Sequence, residues 1–209
     1  MIDFSRIAEP YLKEHRDALE KRCCPDQFVG LISDIERFGD FIFRSPASER
    51  PADIPSVLLI LESPHIYEFD ELPGPAKGHT GRNIVRYLRQ VSGLHDKAEF
   101  GLILLNAVQF QCSLGRPTSE VRDAVFVKTW TSGGSIDFES RFRAVYRDGD
   151  CVVNCCTRGT ARSAFGHLRV HVQQVLAPLL PSNSAVLCRN HPSSWHFPAN
   201  RTRNLRYAI

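Results

Sequence analysis

Apolar positions fall into two kinds of run along this chain. Short runs at residues 57–61 (VLLIL), 101–106 (GLILLN), 151–155 (CVVNC) and 185–188 (AVLC), apolar but for Asn106 and Asn154, are too brief for helices. Flanked by polar or turn-forming residues, they predict fully buried strands. Elsewhere the apolar residues recur at helical spacing. Phe4, Ile7, Ala8, Tyr11, Leu12 and Leu19 form one such set, and Phe28, Leu31, Ile32, Ile35 and Phe38 form another after Pro25, so two amphipathic helices are expected to open the chain. A third helix is expected to begin at Thr80-Gly81-Arg82, with Ile84, Val85 and Leu88 on its apolar face. Ser119 is placed to cap a fourth over EVRDAVFVKTW, and a short fifth covers residues 137–146. The last runs from about residue 162 to 176, with Phe165, Leu168, Val172 and Val175 on one face, and Pro178 and Pro181 end it.

Strands alternating with helices predict an α/β fold of three layers, αβα, around a central, mostly parallel four-stranded sheet. Residues 1–209 read as a single domain, with helices over 1–45 and a loop rich in Pro, Ser and Ala over 45–55 leading into the first strand. With 209 residues, 43% of them hydrophobic, the chain can bury a sizeable core. No apolar run approaches the roughly 20 residues of a membrane span, and the N-terminus lacks the basic-then-apolar pattern of a signal peptide. A cytoplasmic, monomeric protein without a membrane partner is the expectation. Seven cysteines, an odd number, several of them inside apolar runs, read as buried free thiols. Without a Cys-x-x-Cys pair, and with Cys23-Cys24 and Cys155-Cys156 adjacent, no metal is expected.

Charge sharpens the picture. Residues 151–209 carry seven arginines and no Asp, Glu or Lys, so this end is +7 while the remainder is −4. Such asymmetry suggests a basic face that meets a polyanion.

Three of the strands deliver distinctive polar residues at their carboxyl ends, the edge where ligands bind in open α/β sheets. The first is followed by Glu62-Ser63-Pro64-His65 and a glycine-containing loop, Pro73-Gly74-Pro75; the second ends in Asn106; the last delivers Arg189-Asn190-His191-Pro192-Ser193-Ser194-Trp195.

Together these segments resemble the uracil-DNA glycosylase superfamily. Leu61-Glu62-Ser63-Pro64-His65, followed by GHTGRNIVRYL, stands where the iron-sulfur branch has Gly-Glu-Ala-Pro-Gly and a glycine-rich loop. LLNAV, at residues 104–108, is similar to the family's Leu-Leu-Asn-x-Val, and His191-Pro192-Ser193 to its His-Pro-Ser. Order and rough spacing agree over residues 55–197, which would form a glycosylase-like core.

The resemblance implies a monofunctional DNA N-glycosylase that hydrolyses the glycosidic bond of a flipped, uracil-like or modified base in single- or double-stranded DNA, with no cofactor. Bond breaking leaves positive charge on the sugar and negative charge on the departing base, so the site needs an anion near one and donors near the other. Glu62 would supply the anion or activate water, and His191 would donate to the base carbonyl. Asn106, with His65 beside it, would read the flipped base. Pro73, Gly74, Pro75, Ser193, Ser194, Arg189, Arg201 and Arg203 would hold the DNA backbone, and Trp195 would be a wedge filling the gap left by the flipped nucleotide.

The chain also departs from the family. Where the family has a stacking aromatic in the glycine-rich loop, Ala76 or Gly81 stands here, leaving Phe110, Tyr67 or Phe69 as substitutes. The four cluster cysteines are absent at their spacing, so no iron-sulfur cluster is expected. His65 replaces a small residue, which changes the pocket's size and charge. Two other readings stand beside the glycosylase: a catalytically idle, nucleic-acid-binding member of the same fold, and a thiol hydrolase or transferase using Cys155 or Cys156 with His191 or His65 as base.

Overall fold

A computed structural model describes residues 2–12, 20–115, 121–160, 167–182, 184–203 and 205. Its centre is a six-stranded mixed sheet in the order β2-β1-β4-β3-β5-β6, where β1 is Gln27–Leu31, β2 Ser45–Pro46, β3 Ser56–Leu61, β4 Gly101–Asn106, β5 Cys151–Asn154 and β6 Leu187–Cys188. The four expected strands are present and run parallel in one continuous block, β4-β3-β5-β6. The sheet has two strands more than expected, because β1 adds antiparallel to β4 and β2 antiparallel to β1. The chain is therefore α/β with a mixed sheet rather than a four-stranded one.

The N-terminal region is where periodicity misleads. Phe28, Leu31, Ile32, Ile35 and Phe38 keep helical spacing, yet the helix α2 begins only at Ile32 and ends at Phe38. Phe28 joins the core on one face of the sheet, whereas Val29 joins that on the other, the alternation of a strand. Gly30, at φ 102, takes a backbone conformation no helix contains, and the pairing with β4 shifts register between Phe28 and Leu31. Helical spacing emerged there because a bulged strand runs directly into a helix. The first helix, α1, is also shorter than its pattern: it covers Phe4–Ala8, a 3-10 turn with Pro10 follows, and Leu12 is extended. Leu19 lies outside the described residues.

The remaining helices are α3, His79–Tyr87; α4, Arg122–Thr129; α5, Ser135–Val145; α6, Leu168–Leu176; and α7, Pro198–Thr202. Ser119, expected as a cap, and residues 162–166 of the expected last long helix lie outside the described residues. Alternate residues of the central strands supply two cores. Leu58, Ile60, Ile103 and Leu105 pack with Phe126, Phe138, Phe142, Val172 and Leu176 from α4, α5 and α6. Val57, Leu59, Leu61, Leu102 and Leu104 pack with Ile32, Ile35, Ile84 and Trp195 on the other side. Both faces are covered, and β3 and β4 are buried along their whole length. This rigid double-sided sheet holds the polar residues at its carboxyl edge. Among the described residues, no helix is long and apolar enough to cross a membrane.

Candidate active site

Parallel register brings the first two strand ends together. Leu61 pairs with Asn106, and the ladder continues through Ala107 N–H to Leu61 O at 2.8 Å and Val108 N–H to Glu62 O at 3.0 Å. Glu62 and Asn106 thus stand side by side at the sheet's edge. His191 arrives three residues beyond β6. With Ser63, His65, Tyr67, Glu68, Lys77, His79, Arg122, Thr157 and Ser193, these three residues line one cleft of about 560 Å³.

Glu62 is buried, 3% exposed, and is held by several partners. The Thr157 hydroxyl donates to Oε2, Ser63 Oγ donates to Oε1 at 3.4 Å, and Arg122 Nε pairs with Oε1 at 3.2 Å. Burial pushes its carboxyl up to about 7; the Arg122 charge pulls it down, and Asp123 pushes it up again. Near neutral pH this carboxylate is poised between its two states. Arg122 is itself fixed by Asp123 at 2.8 Å, and Asp123 accepts from the Thr160 amide at 2.7 Å and hydroxyl at 2.9 Å. A side chain at Gly159 would stand 2.9 Å from Asp123 Oδ2, so a glycine is required where that turn closes on the carboxylate.

His191 is held in one tautomer. The Ser193 backbone N–H, an obligate donor, points at Nδ1 at 3.2 Å, and Ser193 Oγ lies 2.9 Å from the same nitrogen. In the neutral ring, Nε2 must then carry the proton. Burial, with Arg122 and Arg169 adding repulsion, lowers the imidazolium to about 4, so the ring is a neutral donor at physiological pH. Its loop is pinned to α3 by Asn83, whose Nδ2 donates to Pro192 O at 2.9 Å and Ser193 O at 3.2 Å.

Asn106 is 1% exposed, with Nδ2 3.5 Å from Cys24 Sγ and Oδ1 without a hydrogen-bond partner. His65 lines the cleft from an exposed position, accepting the Tyr67 amide at Nδ1 and lying 4.9 Å from the Tyr67 ring.

Several expected roles do not survive. Trp195 is fully buried, and its Nε1 donates to Asn190 O at 2.8 Å; it is a peg under the His191 loop and no wedge. Arg189 is 2% exposed, and its guanidinium donates to Ser92 O and Cys188 O, so it braces the β6 side of the sheet and cannot meet a phosphate. Pro73, Gly74 and Pro75 face Gln27 and Arg44 instead of the cleft: Gly74 N–H donates to Glu68 O, and a Cβ there would stand 2.5 Å from the Gln27 side chain. The cleft side of that loop is Lys77, Gly78, His79 and Thr80.

Arg201 donates to Trp195 O and lies over the Tyr87 ring, whereas Arg203 is exposed. Ser193 lines the cleft, and Ser194 donates to His191 O within the loop. Of the three aromatic substitutes, Phe69 is buried and Phe110 stacks on Phe4; Tyr67 lines the cleft and is 64% exposed. Neither Ala76, buried at φ 57, nor Gly81, where a Cβ would stand 1.9 Å from Ala76 O, has room for an aromatic.

Cys155 and Cys156 are completely buried, with Cys155 pushed up to about 12 by burial and Cys156 raised well above its ordinary value by burial and by Glu62, which makes both poor nucleophiles. Among the described residues no cluster of His, Cys, Asp and Glu is arranged to hold a metal.

Sequence reasoning missed Glu68, Arg122 and Thr157. Thr157 obeys the rule that found Glu62 and Asn106, being the first polar residue after the Cys155-Cys156 end of an apolar run. Glu68 was marked by its place between Tyr67 and Phe69, a carboxylate in an apolar stretch. Arg122 gave no signal, since a charged residue in a helix's first turn is ordinary.

Comparison of the chain with protein-family models, with curated proteins and with solved structures finds no match.

Proposed function

We propose that this protein is a DNA base-excision N-glycosylase with a uracil-DNA glycosylase-like arrangement, hydrolysing the glycosidic bond of a flipped base. The observation that carries the reading is the convergence of Glu62, Asn106 and His191 from three parallel strands on one cleft. The electrostatics suit the charge that develops. Glu62, when ionised, stabilises the sugar cation or takes a proton from the attacking water, and Thr157 and Arg122 keep it in place. His191 Nε2–H donates to the base carbonyl as negative charge builds there, and because the ring is already neutral it does so without an ionisation step. Tyr67 is the available stacking surface. Lys77, His79 and Arg82 at the start of α3 stand where the backbone of an extruded nucleotide would pass.

The test is single-turnover release of free base, with enzyme in excess, from single- and double-stranded oligonucleotides carrying a panel of modified bases. Wild type should cleave at least one substrate. Glu62→Gln and His191→Ala should each slow release by about 10² or more while leaving DNA binding within a few fold, because neither contact matters much before charge develops. Binding of DNA without release from any substrate would replace this reading with the catalytically idle one. Near-full activity in Glu62→Gln would remove the role given to Glu62.

A further inference from the structure

A basic surface leads away from the cleft along α3. Because β3 and β4 are parallel, α3 has to carry the chain back from the carboxyl edge of the sheet, so its first residues border the cleft and its last ones lie away from it. Arg82 and Arg86, four residues apart, share one exposed face of this helix. α7 lies alongside and runs the same way. His196, just before it, has its ring 5.9 Å from that of His79, whereas Arg201, near its end, lies 4.6 Å over the Tyr87 ring and accepts from the Ser92 N–H at 3.0 Å. Arg86 reaches the same Tyr87 ring at 5.4 Å. The two helices therefore make one surface, on which Arg82, Arg86 and Arg203 are exposed.

No acid offsets this surface. Residues 72–95 and 151–209 contain no Asp or Glu, the nearby Glu36 is taken up by Arg89, and among the described residues no carboxylate pairs with Arg82, Arg86 or Arg203. Like charges gathered in this way repel one another, and a polyanion relieves the repulsion. At the cleft end of the surface stands Phe197, 58% exposed, its ring centre 4.0 Å from that of His196. We propose that the α3–α7 surface binds single-stranded DNA flanking the nucleotide in the cleft, with Arg82, Arg86 and Arg203 meeting its phosphates and Phe197 stacking on an unpaired base. This inference rests on the cleft being a nucleic-acid site, and it adds the form of the substrate: a strand unpaired beside the target base.

The direction of α3 selects a single strand over a duplex. A duplex seated across the carboxyl edge is stiff, with a persistence length of about 150 base pairs, and continues past the cleft in a line. The α3–α7 surface instead runs back over the face of the sheet on which Ile84 and Leu88 pack, and a flexible strand can follow that turn. Phe197 acts in the same sense, because an aromatic ring stacks on a base face that a duplex keeps covered by the neighbouring pairs. An acidic peptide would satisfy the arginines and leave Phe197 without a stacking partner.

Fluorescence anisotropy of the whole protein with labelled oligothymidine of about 16 nucleotides, and with the duplex of the same length, tests this apart from base release. The single strand should bind about tenfold more tightly than the duplex, and polyglutamate of equal charge should compete about tenfold more weakly than oligothymidine. Arg86→Ala and Arg203→Ala should each lower the slope of log affinity against log salt by about 0.7 for the single strand. Phe197→Ala should weaken single-strand binding about tenfold at an unchanged slope, and Phe197→Trp should restore it. Thermal melts of these variants should match wild type, since the three side chains are exposed. Equal binding of duplex and single strand, an unchanged slope in both arginine variants, equal competition by polyglutamate, or no binding at low salt overturns the inference. Single-strand binding that depends on Arg86 and Phe197, without base release from any substrate, keeps this surface and removes the glycosylase. Base release with all three alanine variants binding as wild type does the reverse.

Discussion

A carboxyl and an imidazole, each moved from its ordinary range by burial, set the pH response of this cleft. In the proposed mechanism Glu62 is ionised when it acts, and burial raises it to about 7, so kcat/KM should climb about tenfold per unit below pH 7 and level off above it. No further limb from His191 is expected until about pH 4. A kcat/KM profile on a cleaved oligonucleotide checks this, and Glu62→Gln should remove the limb from whatever activity remains. A flat profile in wild type would mean that Glu62 does not titrate where its burial places it.

At the scale of elements, the site depends on how α3 packs between the loop that precedes it and the His191 loop. Gly81, in the first turn of α3, packs so closely on the Ala76 carbonyl that even a methyl group would stand 1.9 Å from it. Gly81→Ala must push the loop or the helix aside and should cost about 1–3 kcal/mol by urea unfolding. Asn83, two residues later, donates two of the hydrogen bonds that fix the His-Pro-Ser segment, and His79 Nε2 lies 3.2 Å from Ser193 O beside them. Asn83→Ala should leave substrate affinity near normal and lower the rate of base release about tenfold or more, since a loosened His191 loses the geometry that matters when charge develops. An unchanged single-turnover rate would show that the remaining contacts of the loop hold His191 without Asn83.

For the whole molecule, the charge asymmetry of the sequence overstates the basic surface. Of the arginines after residue 150, Arg169 and Arg189 are buried and hydrogen-bonded to backbone carbonyls, and Arg201 is engaged with Trp195 O. A guanidinium with five donors suits loop and strand-end carbonyls that need a partner. Lys77, whose ammonium also donates to the Asp70 and Leu72 carbonyls, and Arg82 line the cleft, while Arg158 and Arg203 are exposed. DNA binding should weaken with salt, and Lys77→Ala and Arg82→Ala should each reduce the slope of log affinity against log salt by about 1. Arg189→Ala should leave that slope unchanged and lower stability instead. Salt titrations by fluorescence anisotropy, with a thermal melt of each variant, distinguish the two roles.

Four parallel strands and their polar ends were legible because a strand buried on both faces has to be almost wholly apolar, and the polar residue at its end marks where the sheet stops. That local rule located Glu62 and Asn106 before any contact was known, whereas His191, three residues past its strand, was singled out by the His191-Pro192-Ser193 motif. The antiparallel β1 was hidden because a bulge at Gly30 joined strand to helix without interrupting the helical spacing of apolar residues. What only the tertiary structure decided was which polar groups are buried and which have partners. A tryptophan after a loop motif reads the same whether it is a wedge or a peg, and an arginine the same whether it meets phosphate or a carbonyl. Glu62 became poised near neutral pH only when the fold enclosed it between Thr157 and Arg122, because desolvation and hydrogen-bond completion are properties of surroundings assembled from distant segments.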